Sequence, residues 1–310
     1  MFSLLFPMLL GACDELAPDD TTEPVLDEVA PTVVATDPTD GARGVRTDQL
    51  VTVTFSEPMD PTTTLSAVTA SHAPEEVRLS GDGLVLTVAL PLAYNQEPGE
   101  TRTVDQAFEV AVSTDATDLA GNPLDAPALV RFRTATERVV ELAPHDTLFG
   151  NRALSTTDRY TFLGGGDVTS GDVVESVVSW PIDVLPPLEA VLWVEEAVLE
   201  TEVHQVIGTP GADFGALVVD RVQFATFGEG FTADAISRNP APWLPDAAAY
   251  TEGAPVLVDL APVLTEAWDE GDPLLQLRLS FEGAPSTDEG ADLVYFRLGE
   301  TRLTVTYLTF

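Results

Sequence analysis

The sequence predicts an all-β chain of two β-sandwiches, the second larger than the first and carrying one short helix. Three observations predict it: apolar residues recur with period two in many short runs, turn signals separate those runs, and a single stretch keeps a helical period. Successive strand side chains point to opposite faces, so a run with period two buries one face and wets the other.

The chain opens with Phe2 to Ala12, which is apolar and uncharged. A helix needs about 20 residues to span roughly 30 Å of hydrocarbon, so this segment is too short to cross a bilayer. It ends in Leu10-Gly11-Ala12-Cys13, and Cys13 is the only cysteine. An apolar run, two small residues and a cysteine resemble a bacterial lipoprotein signal peptide, whose peptidase requires small residues before the cut. The resemblance implies that residues 1–12 are a signal peptide and that Cys13 becomes a lipidated first residue. No Lys or Arg precedes the run, so we expect the true start to lie upstream of Met1.

Residues 13–29 are predicted to be an acidic disordered tether. Asp14 to Glu28 holds seven acids, no base and two prolines. Such composition buries too little apolar surface to offset the entropy of ordering. Several acyl chains on Cys13 would give stable anchoring, where one chain is marginal. Asp14 resembles an inner-membrane retention signal. The expected location is the cell envelope, at the outer membrane or the periplasmic side of the inner membrane.

Fifty-one acids face 14 bases, a formal charge of −37, and every base is arginine. Such a surface repels phosphate backbones, which argues against a nucleic-acid partner. It also repels anionic headgroups, leaving the lipid to hold the protein at a membrane, and it can attract divalent cations. A salt-adapted or high-GC source would produce the same bias without functional meaning. Beyond Cys13 there is no cysteine, so no disulfide is expected and each domain needs its own core.

Residues 30–136 form the first predicted domain. Val51, Val53 and Phe55 alternate with polar residues; Leu84, Leu86 and Val88 repeat the pattern, as do Phe108, Val110 and Val112, and then Val130 and Phe132. Asp40-Gly41, Ser80-Gly81-Asp82-Gly83 and Ala120-Gly121-Asn122-Pro123 mark turns between them. With no strong helical stretch, a β-sandwich is predicted. The order Pro31-Thr32-Val33, Asp40-Gly41, Phe55-Ser56-Glu57-Pro58-Met59-Asp60, Asp118 to Leu124 and Phe132-Arg133-Thr134 resembles the S-layer-type (SbsA-like) bacterial Ig-like domain. That resemblance implies a structural role as spacer or adhesive module, without catalysis. Glu57, Asp60, Asp115 and Asp118 could group as a calcium site of hard oxygen ligands. They lack the spacing of a calcium loop and are expected to begin turns instead, so no metal site is expected.

Residues 137–310 form the second predicted domain. Leu275, Leu277, Leu279 and Phe281 alternate, as do Leu303, Val305 and Tyr307. Val173–Ile182, Val218–Ala225 and Leu293–Leu298 are further strand candidates. Leu188–Val203 suits helix or strand, and its Val, Trp and Thr content favours strand. One helix is predicted after Asp259, with Pro262 in its first turn, Leu260, Val263, Leu264, Ala267 and Trp268 on one face, and Gly271 ending it. A short helix before the closing strands, with Trp180-Pro181-Ile182-Asp183 ahead of Leu185-Pro186, resembles the DNRLRE-type jelly-roll domains related to carbohydrate-binding modules. The DNRLRE motif itself is absent.

No catalytic set emerges from the sequence, and no cofactor is expected. His72, His145 and His204 are isolated and lack metal-ligand spacing. There is no Gly-x-Ser-x-Gly elbow. Gly164-Gly165-Gly166 has no following Lys, so it is not a phosphate loop and is predicted to be a loop tip. Acids are too abundant to single out a glycosidase pair. Trp180, Trp193 and Trp268 fall in strand or helix patterns and are expected in the core. Trp243, in the proline-rich segment Asn239 to Pro245, is expected in a loop near Tyr250, where the two could stack on a glycan or cover an end of the sandwich. The expectation for the whole chain is a non-catalytic envelope lipoprotein acting as a structural or adhesive display module, its partners a membrane and possible envelope glycans or surface proteins. The alternative is a carbohydrate-binding surface protein using its second domain.

Overall fold

The computed structural model describes residues 27–96, 107–146, 149–153, 156–158, 162–169, 172–225, 234–235, 241–244, 250–283 and 290–310. The chain is all-β, as its period-two runs predict, with a few short helices.

The first sandwich begins with β1 (Val33–Asp37), β2 (Ala42–Val45), β3 (Val51–Phe55), β4 (Val68–Ala70), β5 (Glu76–Leu79) and β6 (Val85–Ala89). After β7 (Asn95–Gln96) it is completed by β8 (Ala107–Val112) and β9 (Ala128–Thr134). One sheet runs β1-β3-β6-β5 and the other β2-β9-β8-β4. The alternating residues Val51, Val53, Phe55, Leu86, Val88, Phe108, Val110, Val112, Val130 and Phe132 fill the space between them. Phe108 and Phe132, cross-strand partners, stack with centroids 5.6 Å apart. Burying one such side chain contributes about 1.5–3 kcal/mol.

A helix stands where none is predicted: α1 (Pro61–Ser66). Its threonines are poor helix formers, but the Asp60 carboxylate accepts from the backbone N–H of Thr62 and of Thr63, both at 2.9 Å. Pro61 fits the first turn. Capping at one end thus outweighs weak propensity inside.

The second sandwich comprises β10 (Thr136–Leu142), β11 (Phe149–Ala153), β12 (Thr156–Asp158), β13 (Phe162–Asp167), β14 (Val173–Pro181), β15 (Val191–Ile207) and α2 (Pro210–Phe214). It continues through β16 (Leu217–Gln223), β17 (Asp234–Ala235), β18 (Ala241–Leu244), β19 (Pro255–Asp259), α3 (Ala261–Asp269), β20 (Leu274–Phe281), β21 (Asp292–Arg297) and β22 (Arg302–Thr309). β15 belongs to both sheets. Residues 191–200 pair with β22, and residues 203–207 pair with β21. One sheet runs β7-β10-β22-β15 with β19 alongside, and the other continues β15-β21-β13-β14-β20-β16. A single core lies between them.

The helix predicted after Asp259 is α3. Asp259 accepts from the Ala261 N–H at 2.9 Å. Val263, Leu264, Ala267 and Trp268 are buried, and Gly271 adopts φ +73° just past the end.

The prediction for Gly164-Gly165-Gly166 is overturned: the triplet lies inside β13, with all three residues buried. A Cβ at Gly164 would fall 2.6 Å from the Val294 carbonyl oxygen, and one at Gly165 would fall 2.8 Å from Leu217 Cδ1. Gly166, at φ +137°, leaves no room beside the Asp292 carbonyl. The glycines permit close approach of packed neighbours, the use of glycine within a strand.

Only Ala135 separates β9 from β10. It is fully buried; its N–H donates to Val45 O at 2.9 Å, and its carbonyl accepts from Asn95 N at 2.9 Å. β7, from the first half of the chain, pairs in parallel with β10. The two sandwiches are therefore joined without a linker.

Candidate functional site

Cys13, the predicted lipidation residue, lies outside the described residues. Trp243 is placed in β18, where Pro242 pairs with Val218 of β16. The loop expected there is thus a strand, set at the edge of a sheet, where proline is tolerated.

Tyr250 is 9% exposed and belongs to the core of the second sandwich. Its hydroxyl accepts from Leu217 N–H at 2.9 Å and donates to Gly215 O at 3.2 Å. Burial is the main cause that pushes its pKa up to about 12. Its ring packs 5.9 Å from that of Phe281. Tyr250 therefore offers no free face on which a sugar ring could stack, and it leaves the predicted glycan pair.

Trp180 and Trp268 are buried as expected. The Trp268 indole N–H donates to Pro186 O at 2.8 Å, and its ring stands edge-on to Tyr307. Trp193 departs from the prediction, because it is 40% exposed. Register shifts between Val191 and Trp193 and again between Val194 and Glu196 interrupt the alternation of β15. A bulge changes which side the following residue faces, so period-two reasoning assigns Trp193 wrongly.

The first sandwich reaches Trp193 through Arg46. The Arg46 guanidinium carbon lies 5.2 Å from the Trp193 ring centroid, within cation–π range. Its two terminal nitrogens donate to the Glu195 carboxylate at 2.7 and 3.4 Å, and Nε donates to Asp48 at 3.2 Å. Burial opposes the charge, but the bonds to Glu195 and Asp48 hold the Arg46 pKa above its ordinary value. Nothing in the local sequence pairs residues so far apart.

The acids singled out in the first domain divide. Asp60 caps α1, and Asp115 accepts from Ser113 Oγ at 3.1 Å. Asp118 accepts from Ala120 N, Asn122 N and Asn122 Nδ2, each at 2.8 Å. These are the turn roles expected of aspartate. Glu57 and Asp118 do converge, joined by Asp27, with one carboxylate oxygen of each within 4.8 Å of the others. Oxygen ligands at this spacing suit a hard cation, though Asp118 is already committed to three N–H donors. Burial, followed by the charges of Asp27 and Asp118, raises the Glu57 pKa. Burial works against the Asp118 carboxylate, yet the bonds from Asn122 and Ala120 lower its pKa overall. Asp27 gives no local signal of this role, because it falls within the segment expected to be a tether.

The histidines lie in separate settings. His72 Nδ1 sits 3.0 Å from Ser71 Oγ, and its ring packs near Phe108. The His145 backbone N–H donates to Ser179 O, and His204 stacks on Phe162.

A cleft of about 670 Å³ runs along Pro186, Pro187 and Glu189, facing Trp268 and Asp272. Asp272 is bonded by Arg221, which is 1% exposed and reaches Glu270 at 2.5 Å, Asp272 at 2.6 Å and Glu266 at 3.5 Å. Burial opposes its charge, but the bonds to Glu270 and Asp272 raise its pKa overall. This arrangement clamps the C-terminal end of α3 to β16.

Residues 27–134 match the family model described as a bacterial Ig-like domain. No curated protein matches the chain. Among solved structures, surface layer protein SbsC (domains 1–6) is similar at 14% identity and a TM-score of 0.23, over 69% of this chain and 32% of that one. The chain thus spans about a third of that structure's length. SGBP-B from a xyloglucan utilization locus of Bacteroides uniformis is similar at 13% identity and a TM-score of 0.23, over 88% of this chain and 72% of that one. Native α2-macroglobulin from Escherichia coli, spanning its first domains, gives 12% identity and a TM-score of 0.25, over 80% and 70%.

Proposed function

We propose that this chain is a non-catalytic cell-envelope lipoprotein, held to a bacterial membrane by lipid on Cys13 and acting as a structural or adhesive display module. The observation that carries the reading is the bacterial Ig-like domain at residues 27–134, which follows an acidic segment and passes without a linker into a second sandwich. A lipid anchor, an acidic spacer and stacked sandwiches together hold a surface away from a membrane that the chain's own charge repels. Metabolic labelling of the full chain with a fatty acid tests the anchor. Lipid is expected on the wild type and not on Cys13→Ser, and an unlabelled wild type ends the lipoprotein reading.

A second reading, carbohydrate binding by the second sandwich, is favoured by Trp193, which stays 40% exposed on a strand although Arg46 lies over its ring. Aromatic rings present large apolar faces at low entropic cost. A polysaccharide pull-down with Trp193→Ala and Trp243→Ala tests it. Retention that either substitution abolishes supports the reading, and a wild type that retains no polysaccharide ends it.

A further inference from the structure

Domains joined within one chain move relative to one another by default, unless a substantial interface holds them. Here three features oppose that default. The chain crosses between the sandwiches through the single residue Ala135, whose N–H is bonded to Val45 of the first sandwich and whose C=O is bonded to Asn95 of β7. β7 of the first half adds to the sheet of the second, with Asn95 buried and its Nδ2 donating to Thr134 O at 2.9 Å. A third contact lies beyond the covalent junction, where Arg46 meets Glu195 and Trp193.

The third contact decides whether one angle is kept. A strand crossing and a two-residue ladder can bend or twist. Arg46, which follows the Val45 bonded to Ala135, adds a contact two strands further across the second sheet, on β15. It grips Glu195 with two nitrogens, the bidentate geometry that fixes direction as well as distance. Its guanidinium carbon lies over the Trp193 ring, and Asp48 braces it from its own sandwich. Gly44, at φ +69°, permits the approach, because a Cβ there would stand 2.5 Å from Leu192 Cδ1 and 3.3 Å from the Phe310 ring. Exposed ion pairs contribute little, yet this one is partly buried, the two side chains being 34% and 24% exposed.

We infer that Arg46, through Glu195 and Trp193, locks the two sandwiches at one fixed angle, making the described part of the chain a single rigid body. The inference does not depend on lipidation or on any ligand.

Pulsed electron–electron distance measurement tests it on the full chain carrying Cys13→Ser, with spin labels at Leu119→Cys and Leu257→Cys, both exposed positions in different sandwiches. One narrow distance distribution is expected. Arg46→Glu places like charges against Glu195 and Asp48, and should widen the distribution at least about twofold as free domain motion returns. The exchange Arg46→Glu with Glu195→Arg should restore the narrow peak. Circular dichroism of each variant, expected to match the parent, separates loss of the lock from loss of folding. A broad distribution in the parent overturns the inference. So does a folded Arg46→Glu variant as narrow as the parent.

Discussion

In the first sandwich the core strands keep one dry face and one wet one: β3 alternates from Val51 to Phe55, and β9 from Ala128 to Thr134. In the second, β14, β16 and β20 carry runs of consecutive buried residues. Burial on both faces removes the option of turning polar groups to water, so polar side chains there bond mainly inside, although Trp180 Nε1 makes no hydrogen bond among the described residues. Ser176 Oγ accepts from Gly164 N and donates to Gly164 O, at 2.5 and 2.7 Å. Gln276 bonds both backbone groups of Phe224, at 2.9 and 2.8 Å. In the first sandwich the buried polar groups sit mainly at its ends, as with Asp118 in its turn and Asn95 at the junction. Substitutions inside strands should therefore disturb the second sandwich, while the polar effects in the first should be confined to its turns.

The largest expected effect is that of Gly166→Ala, where a side chain would collide with the Asp292 backbone at a positive φ. We expect a loss of about 3 kcal/mol or more in chemical denaturation, the scale of overpacking added to backbone strain. A variant as stable as the wild type would show that β13 can move away from β21. Ser176→Ala should cost about 1–3 kcal/mol, because it leaves buried groups of Gly164 unpaired. The matching glycine in the first sandwich, Gly41, has φ +84° but open space around its missing Cβ. Gly41→Ala should therefore cost only about 1 kcal/mol, the backbone penalty alone. Equal losses at Gly41 and Gly166 would erase the contrast between the two regions.

The smallest effect is electrostatic and belongs to the first sandwich. The raised pKa of Glu57 means that folding disfavours its charged form. The penalty is therefore present above the folded pKa and disappears as falling pH protonates the group in both states. Glu57→Gln should raise the melting temperature slightly at pH 7 and leave it unchanged at pH 3. Asp118 behaves in the opposite sense. Its lowered pKa contributes stability above the ordinary carboxylate range, lost as pH falls through the folded value. Thermal melts of Asp118→Asn against the wild type from pH 7 to pH 3 should converge at the acid end.

The same contrast explains what was legible in the sequence. Val51, Val53, Phe55, Leu86, Phe108 and Val130 announce their burial because each strand has one wet face. α3 is legible because its buried face keeps a helical period and Gly271 closes it. Gly164 to Gly166 are opaque, since glycine signals a turn locally and only the partners in β21 and β16 make it a packing residue. Trp193 is hidden by two bulges, and Asp27 by its acidic neighbourhood. α1 follows from one cap, a signal weaker than the threonines that oppose it. Of the candidate sites, the turn roles of Asp60, Asp115 and Asp118 follow from residue type, whereas the meeting of Arg46 with Glu195 depends on tertiary structure alone.

The pairing of Thr309 with Thr136 puts the last strand beside the crossing between the sandwiches, and Phe310 next to Gly44. A reporter appended after Phe310 would consequently emerge at the waist of the molecule.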